Sequence, residues 1–167
     1  ERTANVYPDY PAVIHGSIRR NWSETYQRCR QLAGALTSHG VGKGDTVTVI
    51  AANVPEMFEA HFGVPMSGAV LNTVNTRLDA EAVAFILNHA ETKVLLVDVE
   101  FSEVVGHAVK MSGRDDILVV DIEDQTFDGG ARVGSLTYDE LLAEGDTAFE
   151  WSLPDNEWDA ISLNYTS

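Results

Sequence analysis

The apolar residues of this chain change period repeatedly, from strand-like runs to helix-like spacing and back, and that alternation restricts the fold more than any other feature. Asp45 to Ala52, with Val47, Val49 and Ile50, reads as a mostly buried strand. Ala69 to Val74, Lys93 to Asp98 and Ile117 to Asp121 read the same way. Between them lie helix-like stretches. One opens at Asn53-Val54-Pro55, a cap and an early proline, and two more run from Asp79 to Ala90 and from Phe101 to Met111. Strand centres recur about every 23 to 25 residues, the length of a strand, a crossover helix and two short loops. The cadence predicts an α/β fold: a mostly parallel sheet built from βαβ units, with helices on both faces.

The flanks are less regular. After a loop from Val6 to Pro11, Ala12 to Ile14 and Ile18 to Trp22 read as a short hairpin around His15-Gly16-Ser17. A helix follows, with Ser23 as the expected N-cap, Tyr26, Cys29, Leu32, Ala33 and Leu36 as its buried stripe, and Gly40 as its stop. Beyond Asp121 comes a polar loop with Gly129-Gly130. Thr137-Tyr138-Asp139-Glu140 then forms a capping box for a short helix through Leu142. Asp159 to Tyr165 reads as a last strand, running into Thr166-Ser167 with no helix after it to cover its face. A parallel strand normally has such cover, so residues 1–167 read as one α/β subdomain of a longer chain, and the absence of an initiator Met at Glu1 points the same way.

Composition narrows the partners. The chain has 167 residues, 26 acidic against 11 basic, for a net charge of −15. Glu1 to Arg114 holds 12 acidic and 10 basic residues, whereas Asp115 to Ser167 holds 14 acidic residues and Arg132 alone. Such a field repels phosphate backbones and anionic lipid, so nucleic acid is not an expected partner. No apolar run reaches the roughly 18 residues of a membrane span, so none is expected either. The single Cys29 favours a reducing compartment, and the expected location is cytoplasmic.

Several tempting motifs fail on context. Gly40-Val41-Gly42-Lys43-Gly44 follows a helix and precedes a strand, the reverse of a phosphate-cradling glycine loop, and reads as a helix stop and tight turn. His15, His39, His61, His89 and His107 show no paired spacing for a metal, and each reads as a cap or surface residue. No serine sits in a Gly-x-Ser-x-Gly frame. Tyr165-Thr166-Ser167 remains, at the carboxyl end of an expected parallel strand, where ligands of open parallel sheets bind. On spacing and residue type alone an ordinary strand end with loop residues is the better reading of these three residues.

Several stretches taken together resemble the AMP-forming acyl-CoA synthetases of the adenylate-forming superfamily. Asn21 to Tyr26 through Leu32-Ala33-Gly34-Ala35-Leu36 is similar to the family's first core segment, and Gly40 to Val47 to its turn into the next strand. Gly68-Ala69-Val70-Leu71-Asn72-Thr73-Val74-Asn75-Thr76-Arg77-Leu78 is similar to its second core segment, in the form found in medium-chain fatty acyl-CoA synthetases. Phe85 to Glu91 and Val97-Asp98 extend the likeness, and Tyr165-Thr166-Ser167 matches the opening of the family's phosphate loop.

The resemblance implies an N-terminal subdomain of the adenylate-forming fold. It implies an enzyme that uses ATP, Mg2+ and CoA to convert a short or medium-chain carboxylic acid to its acyl-adenylate and then to its thioester. Thr166 and Ser167 would contact ATP phosphates and Tyr165 would support their loop. No catalytic residue and no metal ligand is expected within the chain, which alone should be inactive. A homodimer is also implied. Arg77 reads as a surface ion pair or subunit contact rather than a ligand of CoA. Three alternatives stay open: an aryl-CoA ligase, a peptide-synthetase adenylation domain or luciferase-like enzyme, and a non-catalytic α/β binding module.

Overall fold

The computed structural model describes residues 1–166. A short helix α1 (Arg2–Val6) precedes a hairpin of β1 (Pro11–His15) and β2 (Ile18–Asn21), and α2 (Trp22–Ser38) follows. Then come β3 (Thr46–Ile50), α3 (Pro55–Met66), β4 (Val70–Thr73), α4 (Ala80–His89) and β5 (Thr92–Asp98). A 3₁₀ turn at Val99–Phe101 leads into α5 (Ser102–Ser112), followed by β6 (Leu118–Ile122), β7 (Leu136–Thr137), α6 (Tyr138–Ala143) and β8 (Ser162–Leu163). Strands β3 to β8 form one sheet in the order β7-β6-β5-β3-β4-β8, and every pairing is parallel.

Helices cover both faces, as the cadence predicts. On one face Leu32 and Leu36 of α2, Ala60 and Val64 of α3 and Leu141 of α6 pack on Val47, Val49, Leu96 and Val120. On the other, Val83, Ile86 and Leu87 of α4 with Val105 and Ala108 of α5 pack on Ile50, Leu95 and Val97. Strand β3 is buried at all five positions because it lies between these layers and between two strands. A row of polar side chains nevertheless crosses the sheet: Asn72 Nδ2 donates to Thr48 Oγ1 at 3.1 Å, and Thr48 Oγ1 lies 2.7 Å from Thr92 Oγ1.

Two sequence expectations need correction here. Helix α2 is capped by Asn21, not Ser23: Asn21 Oδ1 accepts from Glu24 N and Glu24 Oε2 accepts from Asn21 N, each at 2.8 Å. Three residues beyond Ser23 stands Tyr26, which cannot return such a bond, so the reciprocal box forms two residues earlier. The last strand is shorter than expected, Ser162–Leu163 instead of Asp159 to Tyr165. Its partner β4 has four residues, and Asp159 turns away, its N–H bonded to Asn156 and its carboxylate 2.7 Å from Lys43 Nζ. Gly40 does end α2, at φ +75°, with Val41 N donating back to Leu36 O at 3.0 Å. Thr137 and Glu140 form the expected capping box.

Four elements meet at one buried carboxylate. Glu59 of α3, with no exposed surface, accepts at Oε1 from Arg20 Nη1 of β2 at 2.8 Å and from Arg28 Nε of α2 at 2.7 Å. Its Oε2 accepts from the Tyr138 hydroxyl of α6 at 3.0 Å. Burial opposes the charge of Arg28, yet the Glu59 carboxylate outweighs it and holds the guanidinium pKa above its ordinary value.

Glu56, one turn earlier, is less well served. Burial raises its carboxyl pKa above the usual 4.5, and Glu59 adds to the rise, with Arg20 3.9 Å away. A carboxyl that holds its proton more tightly folded than unfolded contributes stability below its unfolded pKa and loses it as pH rises through the folded one. Glu56→Gln should therefore melt a few degrees higher than the native protein near pH 7, with the two curves converging near about pH 4. Equal melting temperatures near pH 7 would overturn this.

Candidate functional site

From β3 the chain passes over one face through α3 to β4, and from β4 it returns over the other face through α4 to β5. The two connections leave opposite faces at the carboxyl ends of neighbouring strands, which opens a crevice there. Asp98 closes the end of β5 with no exposed surface, its Oδ1 accepting from Glu100 N at 3.0 Å and its Oδ2 from Ala52 N at 3.4 Å. Burial raises its pKa above the ordinary carboxylate value. Its bonds tie the end of β3 to the end of β5, and no periodicity in the sequence marks it out.

Tyr165 and Thr166 lie at the same carboxyl edge, beyond β8, which runs parallel to β4 with Leu163 opposite Asn72. Tyr165 is half-buried against the α4–α5 layer. Its hydroxyl lies 2.7 Å from His89 Nδ1 in the last turn of α4, and the His89 ring stacks on Phe85 with centroids 5.3 Å apart and planes 16° apart. Thr166 is exposed and shares a cleft of about 830 Å³ with Asn75, Leu78, Phe85 and Ile86. Ser167 lies outside the described residues.

The lining of the cleft supplies neutral polar groups, the Thr166 hydroxyl and the Asn75 amide, beside the apolar Leu78, Phe85 and Ile86. Among the described residues its charged members are Asp79 and Glu81, and no Lys, Arg or His lines it. One Asp79 oxygen accepts from Ala82 N at 2.9 Å and caps α4. These residues can hydrogen-bond a phosphate but cannot neutralise it, so charge compensation must come from groups beyond them. Among the described residues no cluster of three or more His, Cys, Asp or Glu is placed to hold a metal.

Other residues raised by the sequence lie elsewhere. Gly40 to Gly44 is a turn at the opposite, amino edge, where Gly42 N donates to Asp45 Oδ2 at 2.9 Å and Lys93 Nζ donates to Gly40 O at 2.8 Å. A second cavity, about 870 Å³, opens at that edge between Lys43, Phe62, Met66, Trp151 and Ile161. The histidines are scattered. His39 and His89 do stand at helix ends, but their rings bond Glu144 Oε2 at 2.6 Å and the Tyr165 hydroxyl rather than terminal carbonyls. His15 Nε2 lies 2.8 Å from Asp124 Oδ1. Cys29 is buried, and burial pushes its thiol up to about 12, which leaves no thiolate nucleophile. Arg77 is exposed and makes no ion pair among the described residues.

A doubly wound parallel sheet takes its ligands in the crevice outside the carboxyl ends of its strands. The chain belongs to the AMP-binding enzyme family, whose model matches residues 1–167. It is 43% identical over 178 residues to an acetate–CoA ligase of Humulus lupulus, covering all of this chain and 31% of that protein. It is also 43% identical over 179 residues to a peroxisomal acetate/butyrate–CoA ligase of Arabidopsis thaliana, again with all of this chain and 31% of that protein covered. The chain thus spans about a third of the length of the curated relatives it matches.

Solved structures agree on the fold. The crystal structure of an anthranilate CoA ligase in complex with anthranoyl-AMP superposes with a TM-score of 0.87 at 23% identity, covering 99% of this chain and 31% of that one. A Mycobacterium tuberculosis fatty acyl CoA synthetase superposes with a TM-score of 0.78 at 25% identity over the same shares. Among the described residues no helix is long and apolar enough to cross a membrane.

Proposed function

We propose that residues 1–167 form the first α/β subdomain of an ATP-dependent, AMP-forming acyl-CoA synthetase acting on short or medium-chain aliphatic acids. The observation that carries the reading is the place of Thr166: an exposed threonine three residues beyond a parallel strand, lining a cleft with Asn75 just past the carboxyl end of β4, on the sheet edge where open parallel sheets take their ligands. The identities of 43% to an acetate–CoA and an acetate/butyrate–CoA ligase support the aliphatic preference. The free, buried Cys29 fits a reducing compartment such as the cytoplasm.

In this reading a substrate carboxylate oxygen attacks the α-phosphorus of ATP. A P–O bond forms to give the acyl-adenylate, and pyrophosphate leaves with the electrons of the broken P–O bond. The thiolate of CoA then attacks the acyl carbon and AMP departs. The first step turns a poor electrophile into a good one, and its rate rests on positioning and on stabilising charge at the phosphates. The Thr166 hydroxyl donates a hydrogen bond to a phosphate oxygen, with Tyr165 fixing the backbone before it and Ser167 contributing a second hydroxyl. Mg2+, when bound with ATP, would supply the charge compensation that the cleft's Asp79 and Glu81 do not.

Acid-dependent ATP–pyrophosphate exchange by the full-length protein tests this, run over short, medium and aromatic acids with residues 1–167 alone as the control. Exchange is expected with aliphatic acids and only for the full-length protein. Thr166→Ala should lower kcat/KM for ATP about tenfold, the loss of one charge-assisted hydrogen bond, with the melting temperature unchanged. No exchange with any acid would sink the reading, and unchanged kinetics would remove Thr166 from the site.

A further inference from the structure

Thr166 acts, in the reading above, from a segment with little to hold it. Strand β8 is two residues long and pairs with β4 at Ser162 and Leu163 alone, and Thr166 lies three residues past the last pair. Backbone pairing cannot fix a hydroxyl at that remove. The contact that can is the one between Tyr165 and His89, which joins residues 76 positions apart.

That contact is built on three rings. Phe85 and His89 stand four residues apart on one face of α4, so the Phe85 ring lies parallel to the imidazole and fixes its plane. Phe85 is 60% exposed, so it forms an outer wall for the imidazole and contributes little to the core. Tyr165 meets the imidazole edge-on, centroids 5.8 Å apart and planes at 74°, with its hydroxyl 2.7 Å from Nδ1. The Tyr165 ring is thereby held at both ends: its root in the strand extension and its tip on a helix packed into the core through Val83, Ile86 and Leu87. Tyr165 and Thr166 are adjacent in the chain and both line the cleft, so anchoring the phenol restricts displacement of the backbone that carries the threonine hydroxyl.

We propose that His89 is a positioning residue for the nucleotide site, acting through Tyr165 to hold Thr166 against the ATP phosphates. This rests on the assignment of Thr166 as a nucleotide contact. The phenol can donate to a neutral Nδ1 or accept from a protonated one, so the bond survives either state of the imidazole. Bonding through Nδ1 also fixes which substitution can replace it. Asparagine places an amide atom where Nδ1 stood, and alanine places nothing there.

The test is ATP–pyrophosphate exchange by the full-length protein carrying His89→Ala, His89→Asn, Tyr165→Phe or the His89→Ala/Tyr165→Phe pair, beside Thr166→Ala. His89→Ala and Tyr165→Phe should each lower kcat/KM for ATP about fivefold to tenfold, the net worth of one hydrogen bond. KM for the acid should stay unchanged. The double variant should lose no more than either single one, because both remove the same bond, and His89→Asn should recover most of the loss. A loss in folding stability with native kcat/KM for ATP would show that the contact is only packing and would overturn the proposal, as would additive losses in the pair. Loss on Thr166→Ala with none on His89→Ala would overturn this inference alone. A silent Thr166→Ala would remove the nucleotide assignment of Thr166 and this inference with it.

Discussion

Replacing Glu59 with alanine is expected to cost the protein about 3–5 kcal/mol of folding stability, the usual price of breaking a buried ion pair from one side. The reason lies in what remains. Arg20 and Arg28 are mostly buried, with side-chain exposures of 17% and 20%, and both point at a carboxylate that would no longer exist. The Tyr138 hydroxyl, fully enclosed, would lose its acceptor as well. Alanine also leaves a cavity between α2, α3 and α6. Urea unfolding of the full-length protein would measure the loss as a lower midpoint at unchanged slope. Tyr138→Phe removes a single bond and should cost about 1 kcal/mol, so the ratio of the two losses separates charge from hydrogen bonding. A Glu59→Ala protein within about 1 kcal/mol of native would mean that the guanidinium groups find water when the carboxylate is gone.

That network shows where a single sequence stops being readable. Strands β3 to β6 and helices α4 and α5 were legible because each carries its own apolar period, and the Thr137–Glu140 box because its two members stand three residues apart. Glu59 carries no such mark. A glutamate on an amphipathic helix reads as solvated, and its burial here depends on Arg20, Arg28 and Tyr138, which come from three other elements and lie 31 to 79 positions away. Strand β7 and helix α1, of two and five residues, are too short to show a period.

The candidate site divides along the same line. The position of Thr166 past a strand at the carboxyl edge was legible in the apolar run before it, whereas its proposed role came from the likeness of Tyr165-Thr166-Ser167 to a phosphate-loop opening. His89 and Asp98 were not legible, since each owes its place to tertiary contacts: His89 to a tyrosine 76 positions on, and Asp98 to a backbone amide 46 positions back. The carboxyl edge thus displays its reactive-looking groups in the sequence and hides the ones that hold them still.

Gly145→Ala is expected to be nearly as damaging as the loss of Glu59, about 3 kcal/mol, at the upper end of what overpacking costs. A methyl group on Gly145 would stand 1.9 Å from Gln31 O and 2.8 Å from Gln31 Cα, well inside contact distance. These are backbone atoms of α2, a helix fixed by the fully buried Leu32 and Leu36, so the helix cannot give way and the segment after α6 must. The end of α6 and that segment are laid along α2 by contacts that all assume the close approach: Gln31 Nε2 donates to Leu142 O at 3.3 Å, Arg30 Nε to Phe149 O at 2.7 Å, and Trp151 Nε1 to the Tyr26 hydroxyl at 3.1 Å. A methyl group on Gly34, one turn further along α2, would stand 3.3 Å from Asp146 N and 3.3 Å from Phe149 Cδ2. The same segment then leads to β8 and Thr166, so lifting it at Gly145 displaces the start of the path that delivers the proposed nucleotide contact. Gly42→Ala is the matched control, because a methyl group there meets nothing within 4 Å and should change stability by less than about 0.5 kcal/mol. Thermal melting of the two variants decides the matter: a Gly145→Ala protein that melts like Gly42→Ala would mean that the chain after α6 is free to lift from α2.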